Sequence, residues 1–473
     1  MLIRAAEIDG RLADVRIEGG RVAALGVLEP AEGERMIDAG GGALLPGLHD
    51  HHIHCAALAV ARASLACGPP DVTDEARLAA VLAQPGSGWL RGIGYHESVA
   101  GMLDARQLDR WTGDRPVRIQ HRSGRMWFLN SAALDRLLSG AVPPTGMERE
   151  DGRWTGRLFD ADAWLRSALG GVPPDMGSIG KELASLGVTG ITDMSPANDD
   201  RMAGHFAAER DTGRLPQRIL LAGTLALSDA PRHASVTIGA AKLHLHEHQL
   251  PDFDDCVAFV SDAHERDRVA AIHCTTEVEL VFALAALKEA GVRPGDRIEH
   301  AGITPDPLLA QMAEMRLHVV SQPHFIAERG DQYLADVEPR ERALLYRLAA
   351  FRRAGVTLAA GSDAPYGRPD PWASMRAAVS RRTATGITIG HDEALTPEEA
   401  RDLFLADPLE LGHIRRIREG APADLCLLDR GWAQARTRLD AADVRMTLIA
   451  GSTVHDRVDQ SPVQRRPRTD APA

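Results

Sequence analysis

The chain has 473 residues, of which 44% are hydrophobic and 25% charged, and its formal net charge is -12. A chain of this length predicts a large domain with a smaller companion domain rather than one simple core. Because the net negative charge repels phosphates, we expect neither a nucleic acid nor an anionic membrane as a partner.

Both ends of the chain are rich in short strands. Gly19-Gly20 separates two strand-like runs in the pattern of a hairpin with a two-residue turn. Similar runs recur near the C-terminus, so we predict one small β-sandwich built from residues 1–42 and 415–458. The predicted strands are residues 15–18, 21–25, 36–39, 423–429 and 444–451.

Between these ends, strand-like runs alternate with helix-like segments. This alternation predicts an α/β fold, a (β/α)8 TIM-like barrel over residues 43–66 and 187–414. The predicted barrel strands are residues 43–54, 190–194, 218–221, 241–245, 269–273, 297–300, 317–322 and 356–363.

The connection between the first two predicted barrel strands is far longer than a usual βα connection. An insertion at the C-terminal end of a barrel strand lies on the face that carries active sites. We therefore predict that residues 67–186 form a cap. Residues 459–473 are polar and rich in proline, which predicts a disordered tail.

The first predicted barrel strand ends in Pro46-Gly47-Leu48-His49-Asp50-His51-His52-Ile53-His54. Side chains two residues apart on a strand point the same way. His52 and His54 can therefore reach one metal ion. Four further residues stand near the ends of other predicted barrel strands: Lys242, His273, His300 and Asp363.

This ordered set resembles the binuclear-metal branch of the amidohydrolase superfamily. The resemblance implies two divalent metal ions, with zinc the expected metal. It implies that His52 and His54 bind the first metal and that a carboxylated Lys242 bridges both. By the same resemblance, His273 and His300 bind the second metal, and Asp363 binds the first metal and moves the proton of the bridging water.

The resemblance covers nearly the whole chain and is closest to the amidohydrolase-3 group, which includes N-substituted formamide deformylase-like enzymes. The matching segments are Asn130-Ser131-Ala132-Ala133-Leu134 in the insertion, the Lys242 strand and Gly361-Ser362-Asp363-Ala364-Pro365. It implies a metal-dependent amidohydrolase that cleaves the C–N bond of a small amide, N-acyl or N-formyl compound through a metal-bridging hydroxide. A small-molecule substrate and a homodimer are also expected. Residues His244-Leu245-His246-Glu247-His248 depart from the group's usual Asp-Gly turn.

Two other functions fit parts of the pattern. A mononuclear aminohydrolase, a deaminase of a nitrogen heterocycle, would use a glutamate near His273. Glu277 stands one residue further along than that arrangement requires, and it also suits the first turn of a helix. A non-catalytic binding protein on the same scaffold is the remaining alternative, although such proteins usually lack some of the ligands.

Single residues of the predicted site also have structural alternatives. Lys242 ends an apolar run and can simply extend its amine to solvent. Asp363 can cap the Asp-Ala-Pro turn that follows it. Glu299 precedes His300, so strand alternation predicts that it faces away from the ligands.

Three residues are predicted to bind substrate: Tyr95, His121 and His324. Tyr95 and His121 can donate hydrogen bonds to a substrate carbonyl or to a distal polar group. Their alternative role is to hold the cap together. We also infer a cytoplasmic location, because the five cysteines show no paired spacing and the N-terminal residues lack the apolar core of a signal peptide.

Overall fold

The computed structural model describes residues 1–69, 71–86, 88–171 and 173–457. The chain divides into two compact units. The larger unit comprises Met1–Cys55 and the chain from Met176 onward, and the inserted unit comprises Ala56–Asp175. The tail predicted over residues 459–473 lies outside the described residues.

The larger unit contains eight parallel strands that follow one another in chain order. The eighth strand ends close to the first. Just after the eighth strand, the Asp363 N–H donates a hydrogen bond to the His52 carbonyl (2.7 Å). This arrangement confirms the predicted (β/α)8 class. The barrel strands are Leu48–Ile53, Val188–Asp193, Arg218–Gly223, Val236–His244, Ala270–Cys274, Arg297–His300, His318–Ser321 and Thr357–Ala360.

Helices alternate with these strands, as right-handed crossover connections between parallel strands require. The sequence marks several of their starts. Thr276 and Thr396 each form a capping box with a glutamate three residues later. The α-helices of this unit are Gly177–Ser185, Asp200–Asp211, Phe253–Glu265, Glu277–Ala290, Asp306–Glu314, Phe325–Asp336, Leu348–Arg353, Pro371–Ser380, Pro397–Leu405 and Trp432–Ala435. The 3-10 helices are Leu225–Asp229, Glu247–Gln249, Arg342–Leu344, His391–Glu393 and Ala441–Asp443.

Two four-stranded sheets carry the terminal segments of the larger unit, as the sequence predicted. Buried apolar residues from both sheets, including Ile3, Val15, Leu425 and Met446, form one core cluster. In sheet order, the strands are Arg21–Gly26, Arg11–Glu18, Leu2–Ile8 and Met36–Asp38, then Ser452–Asp456, Val444–Ile449, Leu425–Leu428 and Leu44–Pro46.

The segment predicted as one strand over residues 43–54 is in fact two strands. Leu44–Pro46 pairs with Leu425–Leu428 in the sandwich, and Leu48–Ile53 begins the barrel. The change of sheet takes place at Gly47, where a Cβ would lie 2.2 Å from Thr189 side-chain atoms. The close approach of the second barrel strand therefore requires glycine at this position.

The inserted unit is built on a six-stranded sheet. Its buried apolar side chains form two clusters. One cluster includes Tyr95 and Phe128, and the other includes Trp127 and Leu158. The unit spans Ala56–Asp175, whereas we predicted a cap over residues 67–186. Its strands are, in sheet order, Met147–Glu150, Arg153–Phe159, Met126–Leu129, Val117–His121, Leu90–Tyr95 and Leu65–Ala66. The helices of this segment are Cys55–Arg62, Glu75–Leu82, Ala105–Thr112, Ser131–Leu138 and Asp162–Ala168.

A buried arginine holds two backbone segments of the larger unit together through three carbonyl groups. Arg381 is 0% exposed and donates to the carbonyls of Leu345 (2.8 Å), Tyr346 (2.9 Å) and Ile389 (3.0 Å). Arg381→Met would leave these buried carbonyls without a side-chain donor, so we expect a loss of about 3 kcal/mol in the free energy of unfolding. Urea denaturation measures this loss, with the exposed neighbour Arg382→Met as the control; equal midpoints for the two variants would contradict it.

Candidate metal centre

Two histidines of the first barrel strand converge on one carboxylate. His52 belongs to the strand, and His54 follows its last residue. Asp363 Oδ1 lies 3.0 Å from His54 Nε2 and 3.4 Å from His52 Nε2. Asp363 follows the eighth barrel strand, so closure of the barrel brings these residues together although they are far apart in the sequence.

His300 completes a compact group of ligand atoms. One nitrogen each of His52 and His300 and one oxygen of Asp363 all lie within 4.8 Å of one another, and all three residues are buried. His300 Nδ1 lies 2.7 Å from Gln322 Oε1. This contact fixes the imidazole and leaves its Nε2 available to a metal.

His273 and Lys242 extend the group along the neighbouring strands. The His273 ring centroid lies 4.4 Å from that of His300. Lys242 is only 4% exposed, and its Nζ has no hydrogen-bond partner among the described residues. Burial lowers the pKa of Lys242 to about 8, while the charge of Glu299 opposes this shift.

The protonation states suit metal binding, which requires neutral imidazoles and an ionised carboxylate. Burial holds the pKa of His52 well below its ordinary value and also lowers the pKa values of His273 and His300. Burial alone would raise the pKa of Asp363, but the hydrogen bond from His54 and the neighbouring imidazoles lower it. Asp363 is therefore ionised near neutral pH.

The prediction that Glu299 faces away from the ligands is wrong. Glu299 Oε2 accepts a hydrogen bond from His52 Nδ1 (2.5 Å), and its Oε1 accepts one from Arg297 Nε. Strand alternation fails here because His300 has a φ of 69° and Ala301 a φ of 49°, so the extended backbone ends at Glu299. Glu299 thereby fixes the tautomer of His52 and leaves Nε2 directed toward Asp363.

Glu299→Gln tests this orienting role. The amide keeps an acceptor for His52 but removes the negative charge that makes the imidazole a stronger ligand, so we expect metal affinity to fall about tenfold or more. Competition with a chromogenic chelator measures the affinity. The matched control is Glu277→Gln, because Glu277 is exposed in the first turn of its helix. Equal affinities for the two variants would contradict the role of Glu299.

The three residues predicted to bind substrate have well-defined partners. Tyr95 is fully buried in the inserted unit, and its hydroxyl donates to the Gly101 carbonyl (2.7 Å). His121, in the same unit, contacts Glu97 Oε2 through Nε2 (3.0 Å). These contacts of Tyr95 fit its alternative role, which is to hold the inserted unit together, and substrate binding by Tyr95 stays a prediction. Substrate binding by His121 stays a prediction.

His324 belongs to the larger unit and supports the loop that carries Asp363. It is 1% exposed, its Nε2 donates to the Ser362 carbonyl (2.9 Å), and its Nδ1 lies 3.2 Å from Ser374 Oγ. Both ring nitrogens are therefore occupied within the protein. We interpret His324 as a residue that positions Asp363, while a direct substrate contact stays a prediction.

Sequence reasoning missed three residues at this centre. Ser195 Oγ lies 3.1 Å from His54 Nδ1, and a hydroxyl can support either tautomer of that ring because it both donates and accepts. Gln322 holds His300, and the ring of Tyr366 stands edge-on to His54 with centroids 5.7 Å apart. The sequence contained an indication for Gln322, because a polar residue directly after an apolar strand is a candidate for a barrel active site.

Comparison with known proteins agrees with this geometry. The model of the family described as "Amidohydrolase family" matches residues 35–455. The chain belongs to this family. It is a metal-dependent hydrolase that acts on carbon–nitrogen bonds, as the ordered histidines, lysine and aspartate indicated.

Similar proteins extend over nearly the whole chain. An N-substituted formamide deformylase of Arthrobacter pascens is 25% identical, over 94% of this chain and 95% of its own length. The putative amidohydrolase YtcJ of Bacillus subtilis is 22% identical, over 89% and 90%. A crystal structure of an uncharacterized metal-dependent hydrolase from Pyrococcus horikoshii has a TM-score of 0.75 at 19% identity, over 91% and 97%, and supports the fold. In the described part of this chain, no helix has the length and apolar character needed to cross a bilayer.

Proposed function

We propose that this amidohydrolase cleaves the C–N bond of a small amide, N-acyl or N-formyl compound at a binuclear metal centre. The observation that carries the proposal is the convergence of His52, His54 and His300 on Asp363, with the unpartnered amine of Lys242 buried in the same barrel. The name of the Arthrobacter pascens relative supports the N-formyl class.

The residues present fit a pair of divalent metals. His52, His54 and Asp363 would hold one ion, and His273 and His300 the other, with zinc favoured by the imidazole and carboxylate ligands. A protonated lysine only donates hydrogen bonds and is a poor ligand. The buried Lys242 Nζ, which has no hydrogen-bond partner among the described residues, fits a carboxylated side chain, whose oxygens are anionic ligands.

When bound, the metals supply Lewis acidity that acidifies water and polarises the substrate carbonyl. Asp363 is the proposed proton carrier. Its Oδ1 accepts a proton from the attacking water and passes it to the leaving nitrogen, which needs a proton to depart as an amine. This oxygen lies 3.0 Å from His54 Nε2, so the two atoms are close enough to bind the same ion.

One observation favours a mononuclear deaminase as the second candidate. Within the part of the chain that the structure describes, the compact ligand group contains only His52, His300 and Asp363, which is enough for one ion. Against this candidate, Glu277 is exposed at the start of its helix, where an acidic residue interacts favourably with the helix dipole.

Metal analysis distinguishes the two mechanisms. We expect about two metals per chain in protein purified without chelator, and hydrolysis of some members of a panel of N-formyl and N-acyl amines. About one metal per chain, with activity only on amino-substituted heterocycles, would overturn the binuclear proposal. Absence of hydrolysis across both panels after zinc loading would favour the non-catalytic alternative.

We also propose a cytoplasmic location and a homodimer. Support for the location comes from Cys55, Cys67, Cys256, Cys274 and Cys426, which are all buried and unpaired, as expected for reduced thiols. Localisation of a tagged chain and sedimentation velocity test these two proposals separately.

A further inference from the structure

Two arginines stand side by side on one face of the sheet in the inserted unit. Arg91 and Arg118 lie on adjacent parallel strands and are direct register partners. Register partners project from the same face of a sheet with neighbouring side chains. Two like charges are therefore held next to each other, an unfavourable arrangement unless something negative lies between them.

Within the residues that the structure describes, no carboxylate forms a hydrogen bond or an ion pair with either arginine of this pair. Among the described residues, the Arg118 side chain forms no hydrogen bond or ion pair, and its Nε is buried. Arg91 reaches only neutral oxygens, Ser64 Oγ (3.1 Å) and Gln120 Oε1 (3.5 Å). The Asp162 carboxylate interacts with Arg91 through space, but its Oδ1 accepts the hydrogen bond of Trp127 Nε1 (2.9 Å).

Other arginines of the same unit show the usual arrangement. Arg157 pairs with Glu148 (2.9 Å), and Arg125 pairs with Asp160 (2.8 Å). Neither of these guanidiniums stands beside a register partner of like charge. The absence of an acidic partner at Arg91 and Arg118 is therefore a local property of the pair.

Tryptophan rings hold both guanidiniums in place. Arg91 Cζ lies 5.4 Å from the Trp127 ring centroid, and Arg118 Cζ lies 5.9 Å from the centroids of both Trp127 and Trp89. These contacts attract the cation through the ring face. The contacts with the rings use none of the N–H donors of Arg118, which have no hydrogen-bond acceptor among the described residues.

We propose that Arg91 and Arg118 form a binding site for the oxyanion group of a small molecule, a carboxylate or a phosphate. The planar fork of a guanidinium matches both groups through paired N–H donors. A bound oxyanion would neutralise the repulsion between the two cations and occupy the donors that Arg118 leaves unused. The partly exposed Trp89 beside Arg118 favours an apolar or aromatic body on the same molecule.

Binding is tested on the full-length protein with two probes, inorganic phosphate and benzoate, by isothermal titration calorimetry at constant ionic strength. We expect saturable binding of at least one probe, weakened about tenfold or more in Arg118→Gln. Binding of benzoate alone identifies a carboxylate ligand, and binding of phosphate alone identifies a phosphate ligand. The matched control is Arg125→Gln, because Arg125 is exposed and already paired with Asp160.

Two results would overturn the site: no saturable binding by the wild type, or equal binding by wild type and Arg118→Gln. Thermal unfolding provides an independent readout. If the pair binds an oxyanion, phosphate or benzoate should raise the melting temperature of the wild type more than that of Arg118→Gln. If Arg118 serves only to pack against the tryptophans, the probes should shift the two melting temperatures equally, and the proposal fails. Arg118→Lys, which keeps the charge but loses the fork, should also bind the probe more weakly.

Discussion

Replacing Lys242 with alanine is expected to lower kcat/KM about a thousandfold and to reduce bound metal. Loss of a bridging ligand removes several kcal/mol of stabilisation of the transition state, and about 4 kcal/mol corresponds to this factor. Because the Lys242 amine has no hydrogen-bond partner among the described residues, truncation breaks no side-chain hydrogen bond. The fold should therefore persist, as circular dichroism can verify.

We expect the recovery of activity to depend on carbon dioxide in the wild type but not in Lys242→Ala. A neutral lysine amine attacks carbon dioxide to give a carbamate and a released proton. The pKa of Lys242, about 8 because of burial, leaves part of the amine neutral near neutral pH. Metal-free protein reloaded with zinc should regain more activity with bicarbonate than without it. The exposed Lys288→Ala serves as the control. If bicarbonate has no effect and Lys242→Ala keeps its metal, the carboxylated lysine is excluded.

The sequence predicted the barrel well because its strands depend on local patterns, while metal binding by the residues at the strand ends stays a prediction. Apolar runs ending in His54, His300 or Asp363 were visible one strand at a time, and closure of the barrel then brought the ends together. The split at Gly47 was missed because the residues on both sides of Pro46-Gly47 were assigned to one strand, and the local pattern does not reveal that they pair with different sheets.

The residues that support the ligands were harder to predict. Glu299 was assigned to the wrong face because strand alternation assumes extended backbone, and His300 leaves that conformation with a φ of 69°. Ser195 contacts His54, which is far away in the sequence, so only the folded chain identifies it. Tyr95, predicted to bind substrate, ends the strand Leu90–Tyr95 and is fully buried, and its local sequence did not reveal this burial.

Asp363→Asn should separate proton transfer from metal binding. Asparagine has nearly the same shape, tolerates the left-handed backbone found at Asp363 (φ 52°) and keeps an oxygen at the Oδ1 position. It cannot carry a proton as a carboxylate does. We therefore expect kcat to fall about a hundredfold to ten-thousandfold, the range assigned to general acid–base groups, with most of the metal retained.

Asp50→Asn provides the matched comparison for Asp363→Asn. Asp50 is another buried carboxylate close to the same loop, and its Oδ1 accepts the backbone N–H groups of His52 (3.1 Å) and Ser362 (2.9 Å). An amide oxygen can accept both bonds equally, so we expect activity within about tenfold of the wild type. Steady-state kinetics and metal content of the two variants test whether Asp363 carries the proton. If Asp363→Asn loses no more kcat than Asp50→Asn does, the proton is carried by another group, and Asp363 acts only as a ligand.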